Sequence, residues 1–191
     1  SLLKNSPDGQ AVEAIAANQR RQQDEVRAYE WTRVFLPDTT ARNGLCRERH
    51  LLWAIASGHD SDPTWAKSER EADAHFFAGL VAELAAELRI PLTLSMTELD
   101  AQFDGILHPG RRADILLERR VVGAIGEIHP AVRKSFKLGK SRPVYLEIEE
   151  DALAHKAREV AYVEPSVHHD IVRNLAFTLP SGVYCEEVIS V

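Results

Sequence analysis

The stretch "GILHPGRRADILLERRVVGAIGEIHP", residues 105–130, decides how the fold is read. Two apolar runs, ADILL and VVGAIGEI, flank a charged turn at residues 118–120, which predicts two strands joined by a hairpin. Gly123 and Gly126 lie inside the second run. A dinucleotide site needs its glycines in the turn between a strand and a helix. A glycine within a strand instead marks a bulge or a close backbone approach, and that reading is favoured here. His108 and His129 each precede a proline. They are either a reactive pair, as a small hydrolase would need, or punctuation at the ends of elements.

Working outward, the segments on either side supply more of the same sheet. VRAYEWTRVF puts Tyr29, Trp31 and Phe35 on one face and Ala28, Glu30 and Thr32 on the other, a strand period. HLLWAIAS is a continuous apolar run, as in a strand buried on both faces, although its length alone fits a helix too. LTLSM and PVYLEIE read as further strands, and PDTTARNG as a loop. Asp8 is placed to cap a helix carrying Val12, Ile15 and Ala16. The clearest helix covers residues 69–89. Ser68 and Glu71 are spaced as a capping box, and Phe76, Phe77, Leu80, Val81, Leu84 and Leu88 form one apolar stripe, closed by Pro91. HPAVRKSF is a short helix started at Pro130, because proline suits the first helical position. EEDALAHK is another short helix. DIVRNLAFTLP alternates as a strand, with Ile171, Leu175, Phe177 and Leu179 inward. The fold class is therefore α+β, a mostly antiparallel sheet flanked by helices. REVAYVEPSVHH interrupts the pattern as a linker, so the core is expected over 1–164 and the start of a second, truncated module over 165–191.

The bulk properties narrow the function classes. Net charge is −6, from 23 basic and 29 acidic residues, which argues against a large nucleic-acid-coating surface but not against a local basic patch. Cys46 and Cys185 are far apart and match no metal spacing, so a reduced intracellular protein is expected. No apolar run is long enough to span a membrane. The N-terminus lacks both a signal-peptide pattern and an initiator Met, the expectation being a cut fragment.

The search for chemistry finds no catalytic set. His168 and His169 are adjacent, so on a strand they point to opposite faces. No HExxH, CxxC or His-x-His spacing exists, and zinc needs three or four convergent ligands; no metal site is expected. There is no GxSxG elbow. Arg111 and Arg112, with Arg119 and Arg120 one hairpin away, could hold RNA or a phosphate through bidentate forks. They could equally be ordinary surface charge.

The same residues carry a family resemblance. His108, Pro109, Gly110, Arg111 and Ala113, then Gly123, Gly126, His129 and Pro130, then Tyr145 and Glu147, follow a pattern of HPGR-x-A, an apolar strand, G-x-x-G-x-x-HP and an acid-ended strand. Upstream, Asn18, Glu30 and Phe35 fall in register with an N-R … FE-G-x-F helix and strand, and Asp73 and Gly79 with a D-x-F … KG helix. In this order the motifs resemble the β subunit of bacterial-type phenylalanyl-tRNA synthetase. PSVHHDIVRNLAF resembles the entry strand of that family's ferredoxin-like anticodon-binding module. The chain departs from the pattern at Ala78, Asn174 and His169, where lysine, aspartate and proline are usual.

The resemblance implies a class II aminoacyl-tRNA synthetase-like core without an active site of its own. Phenylalanine activation would lie on an α subunit, packed with β in an (αβ)₂ heterotetramer. ATP, magnesium and tRNA(Phe) would belong to the whole enzyme, none of the cofactors being bound by these residues. The setting would be the cytoplasm. The alternative is a free-standing synthetase-like paralogue that binds a protein or an RNA. On this reading His108-Pro109-Gly110 is a turn into a strand and His129-Pro130 a helix start, each histidine satisfying backbone groups.

Overall fold

A computed structural model describes residues 4–37, 46–60, 70–97, 99–154, 162, 173–174, 176 and 178–180. The chain divides into two units, Ser1–Arg158 and Glu159–Val191. The expected loop at PDTTARNG lies outside the described residues except for Pro37, and Ile171, Leu175 and Phe177 of the expected strand DIVRNLAFTLP lie outside them too. The described part of that segment, Arg173, Asn174, Ala176 and Thr178 to Pro180, forms no strand, and Leu179, expected inward, is exposed.

The first unit is built on a six-stranded sheet ordered β1-β2-β6-β5-β4-β3. The strands are β1 (Val26–Leu36), β2 (Arg47–Ser57), β3 (Leu92–Ser95), β4 (Leu107–Leu117), β5 (Arg120–Ile128) and β6 (Val144–Glu149). Every pairing is antiparallel. The α+β expectation therefore holds. The hairpin read from residues 105–130 is β4–β5, turning at Glu118, whose φ is +59°.

Period-two alternation sends neighbouring residues to opposite faces, and each face has its own core. On one face Ala54, Ile115, Ile125, Leu146 and Ile148 pack with Phe77 and Val81 of α2 (Ala74–Leu88). On the other, Trp53, Ile55, Ala124 and Tyr145 pack with Val12 and Ile15 of α1 (Asp8–Gln19). The sheet is thus a middle layer between two helices. A short helix, α3 (Pro130–Ser135), follows β5, and α4 (Glu150–Leu153) follows β6.

The two inner glycines are there for close approach. A Cβ on Gly123 would sit 2.0 Å from the Glu147 carbonyl oxygen, and one on Gly126 would sit 2.7 Å from the Arg112 Cβ. Both strands flanking β5 press against it where no side chain fits.

Four local expectations need correction. Helix α2 starts at Ala74, capped by Asp73, whose carboxylate accepts hydrogen bonds from His75 N and Phe76 N; Ser68 of the expected capping box lies outside the described residues, and Glu71 forms a β-bridge with His59. Asp73 wins because it sits at the residue just before the first helical turn. The α2 stripe is narrower than read: Phe77 and Val81 are buried, whereas Leu80 and Leu88 are exposed. Pro7 is the residue before α1, so Asp8 occupies its first turn instead of capping it. Finally, His108, Pro109 and Gly110 belong to β4, across a register shift between Leu107 and Arg112, and are not a separate turn. A bulge absorbs residues a regular ladder cannot pair.

On β1 the aromatic face points outward. Tyr29 is 75% and Trp31 54% exposed, on the side of the sheet where α2 lies over β3, β5 and β6 and leaves this edge uncovered.

Candidate functional site

The two histidines serve the backbone. His129 Nδ1 accepts the Ala131 N–H at 3.1 Å and caps α3, with Pro130 first in the helix. His108 Nδ1 accepts the Gly110 N–H at 3.1 Å within the irregular start of β4. The structure gives each a separate backbone partner, and among the described residues no hydrogen bond joins the two rings.

The four arginines are not brought to one place. Arg111 and Arg112 reach different carboxylates, and about five residues of strand, roughly 16 Å, separate them from the Arg119–Arg120 end of the hairpin. Arg111 pairs with Glu127 at 2.8 Å. Arg112, only 8% exposed, pairs with Asp104 at 2.8 Å. Arg120 pairs with Glu149 at 2.5 Å. Arg119 is exposed at the turn.

Sequence reading missed the polar groups inside the α1 face of the sheet. Arg49 of β2 and Arg120 of β5 both close on Glu149 of β6, Arg49 at 2.8 Å. Two residues along β6, the Tyr145 hydroxyl donates to Glu147 Oε2 at 2.8 Å. Tyr145 is 1% and Glu147 6% exposed. Burial raises both groups above their ordinary titration ranges, and the negative charge of Asp8 pushes each the same way. Asp114 of β4 is also buried and raised, chiefly by desolvation, although its carboxylate accepts the Asp100 N–H at 2.6 Å. The one available signal was the alternation of Tyr145, Glu147 and Glu149, which puts all three on one face.

Two adjoining cavities open on this face. One, of about 400 Å³, is lined by the basic groups Arg47, Arg49, His50 and Arg120 and by the carboxylates Glu48, Asp100, Glu149 and Asp151. The second, of about 280 Å³, reaches Tyr145 and Glu147 between Val34, Leu51, Phe103 and Asp8. They share Arg49, Gln102 and Phe103. Among the described residues, no cluster of three histidines, cysteines or carboxylates is arranged to hold a metal ion. Arg49, Arg112 and Arg120 already end on carboxylates, so the face offers small polar cavities with largely matched charge.

Residues 2–149 match the family model described as the phenylalanyl tRNA synthetase beta chain CLM domain. The chain belongs to that family. Among curated relatives, the phenylalanine–tRNA ligase beta subunit of Shewanella oneidensis is 34% identical over 148 residues, covering 78% of this chain and 18% of the relative. The Photorhabdus laumondii beta subunit is 31% identical over 180 residues, covering 92% of this chain and 21% of the relative. The chain therefore spans about a fifth of the length of the relatives it matches. Among solved structures, pyrrolysyl-tRNA synthetase from Desulfitobacterium hafniense superposes with a TM-score of 0.53 at 9% identity, over 79% of this chain and 48% of that one. That likeness extends the shared fold to a tRNA synthetase of very different sequence. All the motif positions from His108 to Glu147 fall inside the matched CLM region. No helix among the described residues is long and apolar enough to cross a membrane.

Proposed function

We propose that this CLM-family chain is the class II synthetase-like, non-catalytic core of a phenylalanine–tRNA ligase β subunit. It supports ATP-dependent attachment of phenylalanine to its tRNA by packing against a catalytic α subunit, in an (αβ)₂ assembly in the cytoplasm. Residues 1–164 form this core, and residues 165–191 begin a ferredoxin-like anticodon-binding module. ATP and magnesium act in the whole enzyme, and tRNA(Phe) is bound by the whole enzyme. Arg119 is open for contact with RNA or phosphate, and Arg111, Arg112 and Arg120 would contribute only where their carboxylate pairs yield.

The observation that carries the packing role is the aromatic face of β1. Tyr29 and Trp31 are large side chains left in solvent on an edge strand, and aromatic residues at such density are what a subunit interface covers. The carboxylate-paired arginines support the non-catalytic role, because a triphosphate needs cations that are not already matched.

Co-expression with an α subunit tests the proposal. The two chains are expected to co-purify, and a Tyr29→Ser/Trp31→Ser variant should lose α while keeping the chain's own unfolding temperature. The chain alone should support no phenylalanine-dependent exchange between ATP and pyrophosphate. A folded chain that retains no α subunit would point to the free-standing paralogue instead.

A further inference from the structure

The geometry points to a binding site for a small apolar amine, protonated and seated with its ammonium on Glu147, in the cavity of about 280 Å³ on the α1 face. The site stands apart from the assignment to a larger enzyme. It rests on three features of the cavity.

The first is an underserved carboxylate. Glu147 is almost fully buried, and among the described residues the Tyr145 hydroxyl is its one hydrogen-bond donor, on Oε2. A buried ionised carboxylate is costly unless several donors or a cation meet it. The guanidinium in the wall, Arg49, is held by Glu149 at 2.8 Å.

The second is the sign of the charge around it. Asp8 lines the same cavity, and its carboxylate accepts the Ser6 hydroxyl and the Gly9 N–H, the latter at 2.8 Å. Burial does most to press the Glu147 carboxyl toward its protonated form, the Tyr145 hydroxyl and Arg49 oppose it, and Asp8 and Glu149 add to it. Two carboxylates, Asp8 and Glu147, line the cavity with one guanidinium, Arg49, whose hydrogen-bonded ion pair is with Glu149. A monocation relieves both, and an anion does not.

The third is the shape and lining. Val34, Leu51, Phe103 and Ile106 supply apolar walls, so the rest of the ligand must be apolar. Phe103 and Tyr145 add aromatic rings, which attract an ammonium when it lies over a ring face. The volume sits just below the range of about 300–1,000 Å³ usual for drug-sized ligands, which restricts the occupant to a small molecule.

The test uses the whole 191-residue chain and titration calorimetry at neutral pH. Isopentylammonium is the probe, 3-methylbutanol its uncharged counterpart, and leucine the arm that adds a carboxylate. Saturable binding of isopentylammonium is expected at roughly millimolar concentration or tighter, with the alcohol at least tenfold weaker. Leucine should also bind more weakly, because its carboxylate would meet Asp8 and Glu147. Glu147→Gln should reduce amine affinity at least tenfold, and Ile106→Trp, which fills the cavity and leaves the carboxylate, should abolish it. Each variant's fold is checked by circular dichroism. Equal binding of amine and alcohol, or no saturable amine binding by the unmodified chain, overturns the inference whatever the variants do.

Discussion

Gly123 shows how tightly the sheet is drawn together at single positions. Its Cα faces the Glu147 carbonyl of β6 so closely that alanine has no room. Gly123→Ala should therefore cost at least about 1–3 kcal/mol from overpacking, read as a lower midpoint in denaturant titration. Gly79 is the control. It lies in the middle of α2 with open space where a Cβ would go. Gly79→Ala should stabilise by up to about 1 kcal/mol, since alanine is the better helix former. Glu147 makes a pH prediction. Burial, with Asp8 and Glu149, raises its carboxyl in the fold, against the opposing Tyr145 hydroxyl and Arg49. The folded state thus holds that proton to higher pH than the unfolded chain does. Its stabilising contribution is full below the unfolded value of about 4.3 and is lost as pH rises through the raised folded value. Each pH unit between the two values is worth about 1.4 kcal/mol. Glu147→Gln keeps an acceptor for Tyr145 and should flatten this part of the stability–pH curve, measured as melting temperature against pH.

At the scale of elements, α2 is held by few residues. Phe77 and Val81 reach the core, while Leu84 is half-buried and Leu88 exposed. Phe77→Ala should cost about 3–5 kcal/mol, whereas Leu84→Ala should fall below about 2 kcal/mol, because a partly open site relaxes and rehydrates. The N-terminus of α2 rests on the Asp73 carboxylate, which takes two backbone donors. Asp73→Ala should cost about 0.5–2 kcal/mol, and Ser68→Ala close to nothing. Denaturant titration of the four variants separates the observed cap from the expected one. The hairpin β4–β5 was legible because its alternation, its turn and its two glycines all reside within residues 105–130. The irregular start of β4 was not, because a bulge is set by what the partner strand can pair, and β5 sets the single residue Glu127 against the four residues 108–111.

For the whole molecule, one sheet carries two unlike faces, and the outer part of one of them is bare. Tyr29 and Trp31 are exposed large side chains on that face, and a partner docking there would cover them. Their fluorescence and hydroxyl-radical labelling should therefore drop on addition of an α subunit, while labelling of Met96, far from β1 beyond β3, should stay unchanged. Equal protection at both positions would mean that the complex forms through some other face.

The sequence by itself determined the strand periods, the helix begun at Pro130 and the order of family motifs from Asn18 to Glu147. These depend on neighbours a few residues away or on spacing along the chain. Only the tertiary structure decided that the aromatic face of β1 looks outward, that Arg112 is buried on Asp104, and that Glu147 closes a cavity. Alternation tells that two faces differ, but which face is covered depends on where α1 and α2 land. The cavity in turn is assembled from the segment before α1, β1, β2, the turn before β4, and β6, and no local pattern records that those five meet.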